Sequence, residues 1–210
     1  IILNNESKIG LTASLNRGLK IAKGKYIARM DADDLSFPYR LEYQINYLKK
    51  NPEIGVIGSD VIIINDKFNF NKNKKKYYNK KKSLINLFLQ NPETHNCSLW
   101  YLLFDNCFYH PTIMYKRSII NSVNGYQTKR SEDLDLWTRL FNQTKFYNIK
   151  IPLLFYRKHS NQSSLDRRKN EYDNRIIARL RVFENLFDQK FSFTQISNLS
   201  LRSSFNDFEF

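Results

Sequence analysis

Residues 25–36 read KYIARMDADDLS, and the fold depends on how this stretch is understood. Lys25 to Met30 is short, apolar and aromatic, follows Gly24, and stops where Asp31, Asp33 and Asp34 crowd into one turn, a pattern that predicts a strand ending in acid. Buried strands of α/β proteins deliver ligands to their carboxyl ends, and carboxylates one residue apart in a loop can face one hard divalent cation. Asp31-Ala32-Asp33 is therefore a candidate metal site. A second reading needs no ligand, because Asp33, Asp34 and Ser36 are also suited to cap the helix that follows. Spacing alone does not separate the two. About one Asp-x-Asp pair is expected by chance at this aspartate content, and a second, Asp133-Leu134-Asp135, is present.

Outward from this turn, Gly10 to Lys23 carries Leu11, Leu15, Leu19 and Ala22 at steps of three and four, an amphipathic helix closed by Gly24. Ile1-Ile2-Leu3 reads as the tail of a strand, so the order strand, helix, strand predicts a βαβ unit in an α/β fold, with a mixed, mainly parallel sheet flanked by helices. The chain opens in mid-structure without a Met, and a missing upstream part is expected. Downstream, a helix is expected from Pro38 to Lys50 with Leu41, Ile45 and Leu48 on its inner face, ended by Asn51-Pro52. Ile54 to Ile64 is nearly continuous in β-branched residues and predicts a buried strand.

Lys67 to Lys82 holds eight lysines and no acid, and reads as an exposed hairpin or loop, either a solvated face or a contact for an anionic surface. Its interleaved aromatics fit no recognised nucleic-acid module, which disfavours nucleic acid as a partner. Ser83 to Gln90 is expected as a short helix and Asn91 to Asn96 as a loop. Leu99 to Phe104 is too short and mixed to type. At 210 residues and 41% hydrophobic content the chain can bury one substantial core. The net charge of +14 implies attraction to anions: nucleic acid, an anionic membrane face or a phosphorylated small molecule. Cys97 and Cys107 fit neither a disulfide framework nor a zinc pattern, no apolar run approaches a membrane span, and no secretory signal opens the chain. The expected compartment is the cytoplasm.

Three later clusters carry chemistry. In Tyr109-His110-Pro111-Thr112, the residue before proline is biased to extended geometry, so His110 is expected at the entry to a strand, as a ligand contact or an ordinary turn histidine. In Ser131-Glu132-Asp133-Leu134-Asp135-Leu136-Trp137, Ser131 is a natural N-cap and Leu134, Trp137 and Phe141 share a helical face. A helix start explains these acids structurally. It also favours an ionised carboxylate able to accept a proton from an alcohol. In Tyr156-Arg157-Lys158-His159, placed after the strand-like Pro152-Leu153-Leu154-Phe155, Arg and His suit a diphosphate or a metal, though each alone is more often a surface group.

Taken in order, Gly10-Leu11, Leu15-Asn16-Arg17-Gly18, Ala22-Lys23-Gly24 and Tyr26 to Asp34 resemble the first half of family 2 glycosyltransferases with the GT-A fold. His110-Pro111-Thr112, Asn124-Gly125-Tyr126, Glu132-Asp133 with Asp135-Leu136-Trp137, and Tyr156-Arg157 with His159 resemble its second half. The resemblance covers about residues 1–165, a GT-A domain partial at its N-terminus, and leaves 166–210 as a C-terminal helical extension. It lacks the family's opening strand and helix that hold the nucleotide base. Asn124 also stands where the family has the first glycine of Gly-Gly-Tyr.

The resemblance implies an inverting sugar transferase that uses a nucleotide diphosphate sugar and a divalent cation, Mn²⁺ or Mg²⁺. By similarity, Asp33 would bind the metal and Asp31 would face the metal or the ribose. Asp133 would be the general base for the acceptor hydroxyl, and Glu132 would orient acceptor or base. His159 would be a late metal or diphosphate contact, and Arg157 a diphosphate contact. The acceptor would be a glycan or lipid-linked glycan in cell-surface or polysaccharide synthesis. The extension shows an apolar face of Ile176, Ile177, Leu180, Phe183, Leu186 and Phe187 beside several arginines; it either covers the core or docks on an anionic membrane, which would put the enzyme at the inner face of the membrane, or on a partner. A basic binding module and a catalytically dead fragment are the competing hypotheses.

Overall fold

The computed structural model describes residues 2–65, 68, 88–89, 91–159 and 172–203, with side chains omitted at 88–89 and 200–203. The lysine-rich hairpin expected over Lys67 to Lys82 lies, but for Phe68, outside the described residues. The chain runs α1 (Leu11–Ile21), β1 (Tyr26–Ala28), β2 (Leu35–Ser36), α2 (Arg40–Lys50), β3 (Ile54–Asn65), β4 (Phe88–Leu89) and α3 (His95–Leu102). A 3₁₀ turn (His110–Thr112), β5 (Met114–Lys116), α4 (Arg117–Ser122), α5 (Glu132–Leu140), β6 (Lys145–Lys158), α6 (Tyr172–Phe187) and α7 (Phe193–Ser203) follow. Among the described residues no helix is long and apolar enough to cross a membrane.

The β-branched run forms the centre of the sheet, whose order is β1-β5-β3-β6-β2, with β4 beside β3. β3 pairs in parallel with β6 along nearly its whole length, whereas β1 with β5, β3 with β5, β3 with β4 and β2 with β6 are short antiparallel pairings. The sheet is mixed as expected, and its parallel part is one long central pairing. The expected strand at the start of the chain is not formed: residues 2–5 carry no regular structure. β1 is the last strand in the sheet order and hydrogen-bonds to β5. Without a sheet neighbour, an extended segment at 2–5 leaves its peptide groups to water. Residues 88–89, expected in a helix, instead extend the sheet beside Val61 and Ile62. Helix α3 starts at His95, inside the expected loop, because Thr94 accepts the Cys97 N–H and caps it.

The largest core cluster lies under α5. Trp137, fully buried, meets Phe108 edge-on at 5.1 Å, and Leu134, Leu140, Phe146 and Ile176 pack around it. α6 covers this core with Ile176, Ala178, Val182 and Phe183, while Ile177, Leu186 and Phe187 of the expected apolar face stay exposed. Asn124 and Gly125 both take left-handed conformations (φ 58° and 67°), so the turn is made with asparagine in place of glycine. It is clamped onto α1 by Asn16, whose Oδ1 accepts the Tyr126 N–H (2.9 Å) and whose Nδ2 donates to the Tyr126 carbonyl (2.6 Å).

Candidate active site

Two clusters of acids define the site, one after β1 and one at the start of α5. The Arg29 N–H still reaches the Ile113 carbonyl (3.0 Å), so the chain is held beside β5 until the acids begin. Arg29 is buried and grips Asp31 with both guanidinium ends, at 2.7 and 2.6 Å, the strong two-pronged form of this pair.

Behind this loop α2 turns a polar face inward. Arg40 Nη2 donates to the Arg29 carbonyl (2.7 Å), and Gln44 Nε2 donates to the Thr112 carbonyl (2.7 Å). Of the expected inner face of Leu41, Ile45 and Leu48, Leu48 is buried and Ile45 packs partly buried against its core cluster, whereas Leu41 is half exposed and Arg40 and Gln44 take the inward positions. The loops above α2 present buried carbonyls that need donors, and leucine has none. Burial lowers Arg40 to about 10, against the opposing charge of Asp34.

Asp34 points inward. Its Oδ1 accepts the Arg157 N–H (2.9 Å), and its buried Oδ2 has no hydrogen-bond partner among the described residues. Burial pushes this carboxyl up to about 7; the Arg157 N–H works against the shift and the charges of Asp31 and Asp33 add to it. Arg157 Nε donates to the Asp33 carbonyl (2.9 Å) and Nη1 to the Asn65 carbonyl (2.9 Å). His159 Nε2 stands 3.0 Å from Asp33 Oδ2, joining residues 126 positions apart. The end of β6 thus seats the acidic turn. The capping reading fails, because α2 begins at Arg40 with no side-chain cap, and Ser36 lies in β2 donating to the Phe37 carbonyl.

Asp31, Asp33 and Asp34 each offer an oxygen within 4.8 Å of the others. Three carboxylates suit a hard divalent ion, and the unpartnered, buried Asp34 Oδ2 is a donor still lacking its counterpart. The residues fit the expected cation.

At the second cluster, Ser131 occupies the N-cap position but does not cap. It is left-handed (φ 52°), and its side chain makes no cap bond. Glu132 is buried, with Oε1 3.8 Å from His110 Nδ1, and His110 Nε2 lies 3.0 Å from the Tyr126 hydroxyl. His110 does open the turn into β5, as a buried link between α5 and Tyr126. Asp133 accepts its neighbour Leu134 N–H at Oδ1 (2.8 Å) and Asn106 Nδ2 at Oδ2 (2.5 Å). Burial raises the Asp133 pKa above the usual carboxylate range, while these two bonds and the Arg29 charge hold it down. Arg29 therefore acts on both clusters. Neither Arg29 nor Asn106 stood out in the sequence; the available clue was an arginine two residues before Asp31, on the same side of an extended chain.

Residues 1–121 match the model of the family described as glycosyl transferase family 2. The chain belongs to that family. This family 2 chain is 36% identical to the O-antigen biosynthesis glycosyltransferase WbnJ of Escherichia coli, over 71% of its own length and 54% of that protein. It is 30% identical to the bifunctional glycosyltransferase pgtA of Dictyostelium discoideum, over 99% of its own length and 30% of that protein. It thus spans about half, or less, of these relatives. Its fold is GT-A, shared with S. aureus TarS 1-349 in complex with UDP-GlcNAc (TM-score 0.60, 13% identity, 94% of this chain and 54% of that one). The mannosyltransferase PcManGT of Pyrobaculum calidifontis, in complex with GDP-Man and Mn²⁺, aligns with a TM-score of 0.51 at 14% identity over 98% of this chain and 52% of that one. The family match takes in the acidic turn and ends before α5, so Glu132, Asp133, Arg157 and His159 rest on geometry and on the order of their motifs.

Proposed function

We propose that this family 2 glycosyltransferase moves a sugar, with inversion, from a nucleotide diphosphate sugar to an acceptor hydroxyl in cell-surface glycan or polysaccharide synthesis. The observation that carries the reading is the meeting of Asp33 with His159 at 3.0 Å, with Arg157 tied to Asp34 and Asp33 beside it. Acids from one loop, with an arginine and a histidine from a distant strand end, form one pole for a metal-bound diphosphate. The GDP-Man and Mn²⁺ of PcManGT and the UDP-GlcNAc of TarS support a donor of this class.

Asp33 and Asp31, with Asp34 behind them and His159 alongside, would hold Mn²⁺ or Mg²⁺. A cation there offsets charge on the departing diphosphate, the Lewis-acid contribution. Arg157, seated beside these acids by its bonds to the Asp33 and Asn65 carbonyls, would offer the diphosphate a planar donor. Asp133 takes the acceptor hydroxyl proton as that oxygen bonds to the anomeric carbon; the bond from that carbon to the diphosphate breaks, and its electron pair leaves with the nucleoside diphosphate. A single displacement inverts the carbon. The raised pKa of Asp133 makes it a better base than an exposed aspartate. Glu132, packed on His110, acts by orienting the start of α5. In this reading residues 1–165 are the transferase unit and 166–210 its extension, whose α6 braces the core, with anionic membrane contact as a further partner. Two free thiols, Cys97 and Cys107, support a cytoplasmic setting.

The test is thermal stability with UDP, GDP and dTDP, each with and without Mn²⁺, beside Asp33→Asn, for these residues and for the natural chain. A native-state ligand raises the melting temperature. A metal-dependent shift that the variant loses is expected. No shift in either chain would overturn the reading in favour of a basic binding module or a dead enzyme.

A further inference from the structure

We propose that Asn106 is a positioning residue for the base, holding the Asp133 carboxylate at the angle from which it meets the acceptor hydroxyl. This rests on the proposed role of Asp133. The amide is fixed at both ends. Its Oδ1 accepts the Phe108 N–H (3.2 Å), which leaves Nδ2 to face Asp133 Oδ2 at 2.5 Å. The backbone beneath is held in turn, since the Asn106 N–H donates to Asp105 Oδ1 (2.8 Å), and Asp105 is paired with Arg175 of α6 at 2.7 Å.

Asp133 Oδ1 already accepts the Leu134 N–H, a bond made within its own residue pair that leaves the carboxylate able to swing about it. The second bond, from a loop 27 positions earlier in the chain, removes that swing. Asparagine suits the place chemically. It accepts from a backbone N–H with one end and donates to a carboxylate with the other, whereas aspartate accepts at both ends and would set two anions against each other. The other groups acting on Asp133 are Arg29 just after β1, whose charge favours the anion, the buried Cys107 thiol and the Tyr126 hydroxyl. Among these, Asn106 donates directly.

Asn106→Asp and Asn106→Ser separate positioning from folding. Both keep an acceptor for the Phe108 N–H; Asn106→Asp replaces the donor to Asp133 with an anion, and in Asn106→Ser the one donor left is a hydroxyl a bond shorter in reach. The expected result is a melting temperature within a few degrees of the parent, an unchanged donor KM, and kcat reduced by about 10- to 100-fold. The acidic limb of the kcat profile should move to higher pH in Asn106→Asp, because an added anion holds the proton on Asp133. Carbon-13 NMR titration of the Asp133 carboxyl in the same variants reads the interaction without activity. An upward move of that titration, with Asp133→Asn losing transfer, supports the proposal; transfer retained in Asp133→Asn would remove the base reading and, with it, the role proposed for Asn106. An unmoved titration together with an unmoved pH profile would overturn it.

Discussion

The chain contains the same three-residue pattern twice, and the two copies do opposite things. Asp31-Ala32-Asp33 sits in a loop, where both carboxylates and that of Asp34 turn to one point within 4.8 Å. Asp133-Leu134-Asp135 sits on a helix, where a step of two residues turns side chains about 200° apart. Asp133 accordingly faces Asn106, while Asp135 is buried on the far side and paired with Arg139 (2.8 Å) and Arg181 (3.2 Å). Spacing between carboxylates carries no chemistry until the backbone beneath it is known.

The sharpest way to break this comparison is to neutralise each acid in turn. Asp133→Asn should lower transfer by about 10³-fold, within the range for loss of a general base, and leave donor affinity within twofold by calorimetry. Normal transfer in this variant would remove Asp133 from its role. Asp33→Asn should weaken the cation response by at least tenfold, about the least expected for a direct ligand, and should be visible as a lost Mn²⁺-dependent melting shift. Were the shift retained, the loop would be no metal site and the two pairs would be alike.

Asp135→Asn should spare the chemistry and harm the fold. It leaves Arg139 without its buried anion, at a cost of about 3 kcal/mol, or roughly 6–12 °C for a chain of this size. The rate per folded molecule should not change; a selective loss of kcat would mean that Asp135 belongs to the site.

The smallest effect concerns Asp60, an acid in neither pair. It is buried on β3, where it accepts the Asn91 N–H (3.1 Å) and faces Lys150 at 3.5 Å. Burial raises its pKa; the Asn91 N–H and Lys150 oppose the shift. The fold keeps the Asp60 proton where the unfolded chain has lost it. This contribution to stability is full below the unfolded value of 3.8 and is lost as pH rises through the folded one. Urea unfolding between pH 4 and pH 8 should show Asp60→Asn losing less stability with rising pH than the parent. Parallel curves would show that Lys150 offsets the burial completely.

Much of the site was legible, and the reasons for the remainder are physical. The acidic turn, α1, α5 and the ordered family motifs can be read because each depends on neighbours a few positions away. Asn106 escaped because its partner is an acid 27 positions later, and Arg29, though two residues from Asp31, because its burial and its effect on Asp133 exist only in the fold. The inward face of α2 was partly misassigned for the same reason. Arg40 looks like a solvent residue until the Arg29 and Ile113 carbonyls are in place to receive it.

By itself the sequence determined the periodic helices, the β-branched central strand and a loop of carboxylates closing β1, all set by local covalent geometry and side-chain pattern. Only the tertiary structure decided that β3 and β6 run in parallel and that residues 2–5 and 88–89 depart from their local pattern. It alone brought His159 and Arg157 to the acids. Hydrogen bonds between distant backbone and side-chain groups have no counterpart in a linear window; they exist once the sheet has brought both partners together, and they then select which acids gather in one loop and which are locked in the core.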